Sequence, residues 1–189
     1  RVSLLKAPEE RVLARRLENC KYVQQLRKEL APSEQRAPRA WRYVHLFLER
    51  VCDAQPLIDA LSRYRGLEGQ RTLSEMMSHP QVRETLDGEL SEEMLNYFAD
   101  VLNKEPLEAK EELKALSLNS RLLPVELLEV LDENLTLSEL RVRLGRRECI
   151  RAMGSYELVF HSHLRRLADE GIRAQRHLAE ANLRLVVSV

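Results

Sequence analysis

Apolar residues return every three or four positions along nearly the whole chain, and no convincing pair of strands interrupts them. That period gathers them on one face of a helix. Leu13, Leu17, Cys20, Leu26 and Leu30 mark a first helix from about Pro8 to Glu29. Pro8 is tolerated in the first turn, where its missing N–H has no intrahelical partner to lose. A loop follows from Ala31 to Pro38. Trp41, Val44, Phe47, Leu48 and Val51 stripe a second helix, and Pro56 opens a short third one through Leu57, Ile58 and Leu61. The expected fold class is therefore all-α, a multi-helix bundle.

The middle of the chain is rich in helix starts and stops. Gly66-Leu67-Glu68-Gly69 reads as a turn. Thr72-Leu73-Ser74-Glu75 and Thr136-Leu137-Ser138-Glu139 both read as capping boxes, in which the Thr hydroxyl accepts a free first-turn amide and the Glu reaches back. Their identity is too short to claim a repeat and is attributed to shared capping physics. Pro80 starts a helix that Gly88 stops. Met94, Leu95, Phe98, Val101 and Leu102 stripe the next, Leu107 to Leu118 follow Pro106, and Pro124 opens one through Leu127, Leu128 and Leu131. Gly145 is expected to end the helix after Thr136 in the left-handed conformation.

Ser155 is expected to cap the last and longest helix. Leu164, Leu178 and Leu185 share a seven-residue row with Leu167 and Ala168 beside it, and Gly171 interrupts that row and is expected to loosen it. The long first and last helices are expected to pack together. Leu185-Val186-Val187-Ser188-Val189 ends inside an apolar helical pattern, so the chain reads as a fragment of a longer one.

The 30 basic and 30 acidic residues among 189 cancel, which first argues against a nucleic-acid partner. The charge is segregated, however: net +6 over residues 1–50, −11 over 51–140 and +5 over 141–189. Such asymmetry requires separate readings of the segments. With 44% apolar and 32% charged residues the chain is a folding one. No apolar run approaches the roughly 20 residues of a membrane span. Three dispersed cysteines, Cys20, Cys52 and Cys149, point to no disulfide framework and to a cytoplasmic setting.

Motifs that carry chemistry are sparse. His161 and His163, two apart, point to different sides of a helix, and Cys149 and His177 are distant, so no zinc spacing is present and no metal is expected. Glu92-Glu93 and Glu111-Glu112 fit solvated helix faces. No nucleophile elbow, zinc-protease motif or phosphate loop occurs. No catalytic residue, cofactor or small-molecule substrate is expected, and the chain does not read as an enzyme. Arg141, Arg143, Arg146, Arg147 and Arg151 form a basic cluster suited either to phosphate oxygens or to helix-end solubility plus pairing with the acidic middle, with no aromatic residue between them.

Leu178-Ala179-Glu180-Ala181-Asn182-Leu183-Arg184-Leu185-Val186-Val187-Ser188-Val189 resembles the start of conserved region 2.1 of primary sigma factors, the sigma-70 class of bacterial RNA polymerase initiation subunits. That family reads Leu-(Ile/Val)-Glu-Ala-Asn-Leu-Arg-Leu-Val-(Val/Ile)-Ser-(Ile/Val) there, so Ala179 is the notable departure. Val2-Ser3-Leu4-Leu5-Lys6-Ala7-Pro8-Glu9-Glu10-Arg11-Val12-Leu13-Ala14-Arg15-Arg16-Leu17-Glu18 resembles the second part of region 1.2. Lys6 replaces the family's Thr before the first helix, removing an N-cap oxygen, and Asn19-Cys20 stands where many members have a Gly-containing turn. The two motifs come in the family's order and cover about a quarter of the chain.

The resemblance implies three segments: 1–30 as a region 1.2-like helix, 31–154 as the helical insertion known as the non-conserved region, and 155–189 as a region 2.1-like helix, with the two ends forming one structural unit. It implies core RNA polymerase and promoter DNA as partners, with the melted non-template strand held at the −10 element and discriminator. Glu10 and Asn182 align with polar groups of the family's base pocket, Leu4 and Leu185 with its apolar walls, and Arg184 with a position near phosphate. Residues 51–140, the acidic part of the insertion, are expected to face away from the promoter or to touch a basic polymerase surface, since DNA repels them. Two alternatives remain: a helical protein–protein interaction module with no DNA role, and an enzyme with an unrecognised helical site.

Overall fold

The computed structural model describes residues 6–31, 37–132 and 134–187, with the backbone alone for 184–187. Eleven helices are present among the described residues: α1 Ala7–Leu30, α2 Ala40–Asp53, α3 Gln55–Tyr64, α4 Leu73–Ser78, α5 Pro80–Asp87, α6 Glu92–Leu102, α7 Pro106–Arg121, α8 Leu127–Val130, α9 Leu137–Leu144, α10 Arg147–Ser155 and α11 Glu157–Val187. The chain is all-α, and its long first and last helices pack together. Two compact units result, one from residues Arg1–Tyr43 with Leu158–Val189, the other from Val44–Glu157.

The first unit is built on α1 and α11. Phe160, His163, Leu167, Gly171, Ala174 and Ala181 form the buried row of α11. Their steps of three, four and seven are those of a helix–helix seam. On α1 the buried residues are Leu13, Cys20 and Leu26. The row differs from the one expected: Leu164 and Leu178 are only half-buried. The closest contact is made by small residues, so the larger leucines lie on its flanks. Gly171 does not loosen α11, which runs unbroken from Glu157 to Val187. A Cβ added there would overlap the Cys20 side chain and lie 3.2 Å from the Arg16 carbonyl oxygen. Glycine is required by the approach of α1.

Helix α1 begins where expected despite Lys6, which has no acceptor to offer. The Glu9 carboxylate supplies the other half of the box, accepting the Lys6 backbone N–H at 2.8 Å. Two carboxylates in the first turn, Glu9 and Glu10, also suit the positive end of the helix dipole.

In the second unit, Val44, Phe47, Leu48 and Val51 of α2 and Leu57, Ile58 and Leu61 of α3 are fully or almost fully buried. Helix α6 packs on α3 and α7, and α5 on α4 and α7. Tyr64, Tyr97 and Phe98 stack at 5.0 to 5.7 Å between ring centroids, and the Tyr97 hydroxyl donates to the Ala60 carbonyl at 3.3 Å. Both capping boxes form. Thr72 and Thr136 accept from the Glu75 and Glu139 amides at 3.3 Å, and each Glu accepts the Thr amide in return. The two boxes also meet: Thr72 and Thr136 make an isolated antiparallel bridge, and the Leu137 N–H donates to the Arg71 carbonyl at 3.1 Å.

Three local expectations are corrected. Gly145 is right-handed at φ −78°, and the left-handed cap belongs to Asn103 at the end of α6, φ 53°. Ser155 does not cap α11: its hydroxyl donates back to the Ala152 carbonyl at 2.7 Å, closing α10. The helix expected from Pro124 through Leu131 shrinks to the single turn of α8, while α10 arises where none was expected.

Candidate nucleic-acid interface

Pairing of α1 with α11 decides where the end motifs sit. The Cys20 thiol lies 3.8 Å from the Ala168 carbonyl oxygen, and Arg16, one turn earlier, faces Gly171, one turn later. The helices therefore run antiparallel at this contact. At about 1.5 Å per residue, Glu10 lies about 15 Å along α1 from Cys20, and Asn182 about 16 Å along α11 from Gly171, in the same direction. Both are exposed and lie toward the same end of the pair. Leu4 falls outside the described residues. Arg184 and Leu185 continue the α11 backbone, and their side chains fall outside the described residues too.

Exposed at the first turn of α1, the Glu10 carboxylate is an acceptor. Asn182 adds one donor group and one acceptor on the neighbouring helix. Neither is tied up in the core, so both are placed to meet a ligand from solvent. Ala181, next to Asn182, is buried in the seam and sets the face on which Asn182 emerges.

A second polar surface lies in the other unit, on the α9–α10 hairpin. Arg141 pairs with Asp53. Arg143, Arg146, Arg147 and Arg151 are exposed, and among the described residues their guanidiniums make no salt bridge or hydrogen bond. A cavity of about 370 Å³ opens beside them, lined by Val130, Leu131, Leu135 and Ala152 and by Asp132, Arg143, Arg146, Glu148 and Cys149. Pairing with an acid is met by Arg141, which lies with Arg143 in the last turn of α9; Arg143, Arg146, Arg147 and Arg151 stay exposed on the hairpin.

Sequence reasoning missed one polar network. Arg83 of α5 grips the Asp87 carboxylate with two N–H groups, at 2.7 and 3.1 Å. Arg83 also donates to the Ser120 hydroxyl at 2.7 Å and the Met76 carbonyl at 3.2 Å. Ser117 of α7 donates to Asp87 at 2.7 Å. The hydroxyl proton of Ser117 is committed to the Asp87 carboxylate, which Arg83 and Arg121 flank, and the Ser117 oxygen accepts from Arg121 at 3.3 Å. Geometry of this kind clamps α5 to α7. Its only sequence signal is the four-residue step from Arg83 to Asp87.

The thiols are equally quiet. Burial pushes Cys52 up to about 12, outweighing the pull of nearby Arg141. Burial also raises Cys20, and raises Cys149 against the opposing effect of Arg143. All three are held as thiols at neutral pH, away from the thiolate that nucleophilic chemistry needs. Among the described residues no cluster of three or more His, Cys, Asp or Glu has a metal-binding arrangement, and no helix is long and apolar enough to cross a membrane.

Comparison with protein-family models, with curated proteins and with solved structures finds no match.

Proposed function

We propose that this chain is a piece of a primary sigma factor of bacterial RNA polymerase, working in the cytoplasm. Its first and last helices would help hold the melted non-template strand of a promoter, while the rest of the protein binds core polymerase. The observation that carries this reading is the antiparallel α1–α11 pair, which puts the segments of Glu10 and Asn182 at one end of a single unit. Those are the segments in which the sequence resembles regions 1.2 and 2.1.

The chemistry suits an unstacked base. A base drawn out of its stack exposes its pairing edge to a few polar groups. Glu10 would accept from an exocyclic amine or orient a neighbour. Asn182 would meet a donor and an acceptor together. Leu4 and Leu185 would cover the faces of the base, and Arg184 would serve a flanking phosphate.

The test joins this chain to regions 2.2 to 4 of a primary sigma factor, in place of that factor's own segment, with core polymerase and a promoter fragment. The chimera is expected to open the −10 element, read by permanganate reactivity of unpaired thymines. Glu10→Ala and Asn182→Ala should each reduce opening about tenfold or more while polymerase binding persists. A chimera that binds polymerase and opens DNA equally well with both substitutions would sink the pocket assignment.

A second reading, a helical protein-interaction module without a DNA role, is favoured by exposed apolar side chains on the acidic unit. Leu107 is 70% exposed and Val125 66%. A chimera unable to bind core polymerase at all would move the balance to it.

A further inference from the structure

We propose that Arg143, Arg146, Arg147 and Arg151 form a surface on the α9–α10 hairpin that grips the phosphate backbone of double-stranded DNA without reading its sequence. It does not rest on the promoter reading, which concerns the other unit and a single strand.

The first ground is what these arginines do not do. Their unit is acid-rich, with 22 acidic and 14 basic residues over positions 44–157. Arg141 finds Asp53, yet the four beside it close no ion pair or hydrogen bond among the described residues. Asp132 and Glu148 share the neighbouring cavity with Arg143 and Arg146 without engaging them. The Glu139 carboxylate, one turn before Arg143, accepts from the Thr136 amide and hydroxyl and attracts Arg143 only through space, with no contact pair between them. The guanidiniums are left available.

The second ground is where they stand. Arg146 is the N-cap of α10 and Arg147 its first residue, at the positive end of the helix dipole, where carboxylates are favoured and cations are not. Arg147 and Arg151 are four apart, so like charges share one helix face. Arg143, in the last turn of α9, is favoured by that helix's dipole; the positions of Arg146, Arg147 and Arg151 are unfavourable for stability, and a bound polyanion offsets those penalties. The turn between α9 and α10 is open at Gly145, where an added Cβ would meet no atom within 4 Å.

The third ground selects duplex over single strand. No aromatic residue lies between Arg141 and Arg151, so the run itself supplies no ring on which successive bases could stack. Exposed guanidiniums engage phosphates readily, and the duplex presents them most densely, about one per 1.7 Å of axis. Repulsion from the rest of the acidic unit is screened beyond about 10 Å at 0.1 M salt.

The experiment is fluorescence anisotropy of the full chain with a labelled random-sequence duplex of about 20 base pairs, at about 25 to 200 mM KCl. Binding is expected to weaken with salt at a log–log slope of about −3 to −4, about 0.9 per phosphate neutralised. Arg147→Gln with Arg151→Gln should remove about two units of that slope. The fourfold Gln variant should lose binding while its circular dichroism and Tm stay at or above those of the parent. Arg165→Gln with Arg173→Gln on α11 is the control and should leave the slope in place. The proposal is overturned if the fourfold variant binds like the parent, or if the α11 pair alone abolishes binding. It is also overturned if polyglutamate displaces the parent as well as unlabelled duplex does, which would make the surface one for acidic protein. The promoter reading is tested separately, by the chimera, and the chain alone is expected to bind a −10 single strand weakly or not at all.

Discussion

Gly171 of α11 faces Cys20 of α1 so closely that a single added carbon would overlap the cysteine side chain. Gly171→Ala should therefore destabilise the chain even though alanine is the better helix former. The propensity gain is about 1 kcal/mol, and overpacking a close helix contact costs about 1–3 kcal/mol. The backbone carbonyl of Arg16 on the far side leaves little room to give. Urea unfolding followed by circular dichroism should show a net loss, and a gain would mean that the helices part readily.

Thr72 and Thr136 cap separate helices and also bridge one another. Replacing either by Ala should cost about 1 kcal/mol, the usual worth of such a cap. The double variant should depart from additivity by about 0.5 kcal/mol or more, because the sites touch. A sum of independent losses would show that the two caps do not influence one another across the backbone bridge.

The second box has a pH signature. The Glu139 carboxyl is held below its usual range, first by the Thr136 backbone N–H and then by its hydroxyl. A lowered folded value means that its contribution is complete above the ordinary Glu range and is lost as pH falls through the lowered one. Glu139→Gln should flatten the acid limb of a Tm–pH curve, and an unchanged limb would contradict this.

Arg83→Gln should lower stability by about 2 kcal/mol, since it leaves the Asp87 carboxylate half-buried with one fewer charged donor. Ser117→Ala, which removes one neutral donor to the same carboxylate, should cost about 1 kcal/mol. Equal costs in denaturant titrations would argue against a network centred on the arginine.

Much of this was legible beforehand. Both Thr-Leu-Ser-Glu boxes, the Gly66–Gly69 turn and the apolar stripe of α2 follow local rules and formed as read. Gly66 and Gly69 both take positive φ, 64° and 77°. What escaped depends on partners distant in sequence. Gly171 looked like a defect until Cys20 was placed against it. Ser155 looked like the start of α11 until its hydroxyl turned back to Ala152. Helix α10 was hidden because arginines at its start are poor helix signals. The joining of Thr72 to Thr136 could not be read from two identical tetrapeptides, since shared capping physics explained them sufficiently. Of the candidate pocket, Glu10 and Asn182 came out exposed on one unit, a placement that depends on helix register and not on motif.

Cys52, raised by burial to about 12, should resist labelling. With a disulfide reagent at about pH 8, half-buried Cys149 should react first and Cys52 only on unfolding. A raised folded value leaves its contribution intact below the unfolded value and removes it as pH climbs toward 12. Stability should thus fall above about pH 9, and Cys52→Ala should lose part of that slope. Labelling of Cys52 in the native state at the rate of Cys149 would refute its burial.

The α1–α11 seam also fixes an order of events on the ribosome. Helix α1 emerges before its partner α11, with all of residues 31–156 translated between them. At roughly 5–20 residues per second, α1 waits about 6–25 s with its apolar stripe unmatched. The unit between has every one of its own helices in hand before α11 appears. The seam is consequently closed only after the middle has been made, and a nascent chain stalled before Glu157 would carry that middle and an α1 still without its partner.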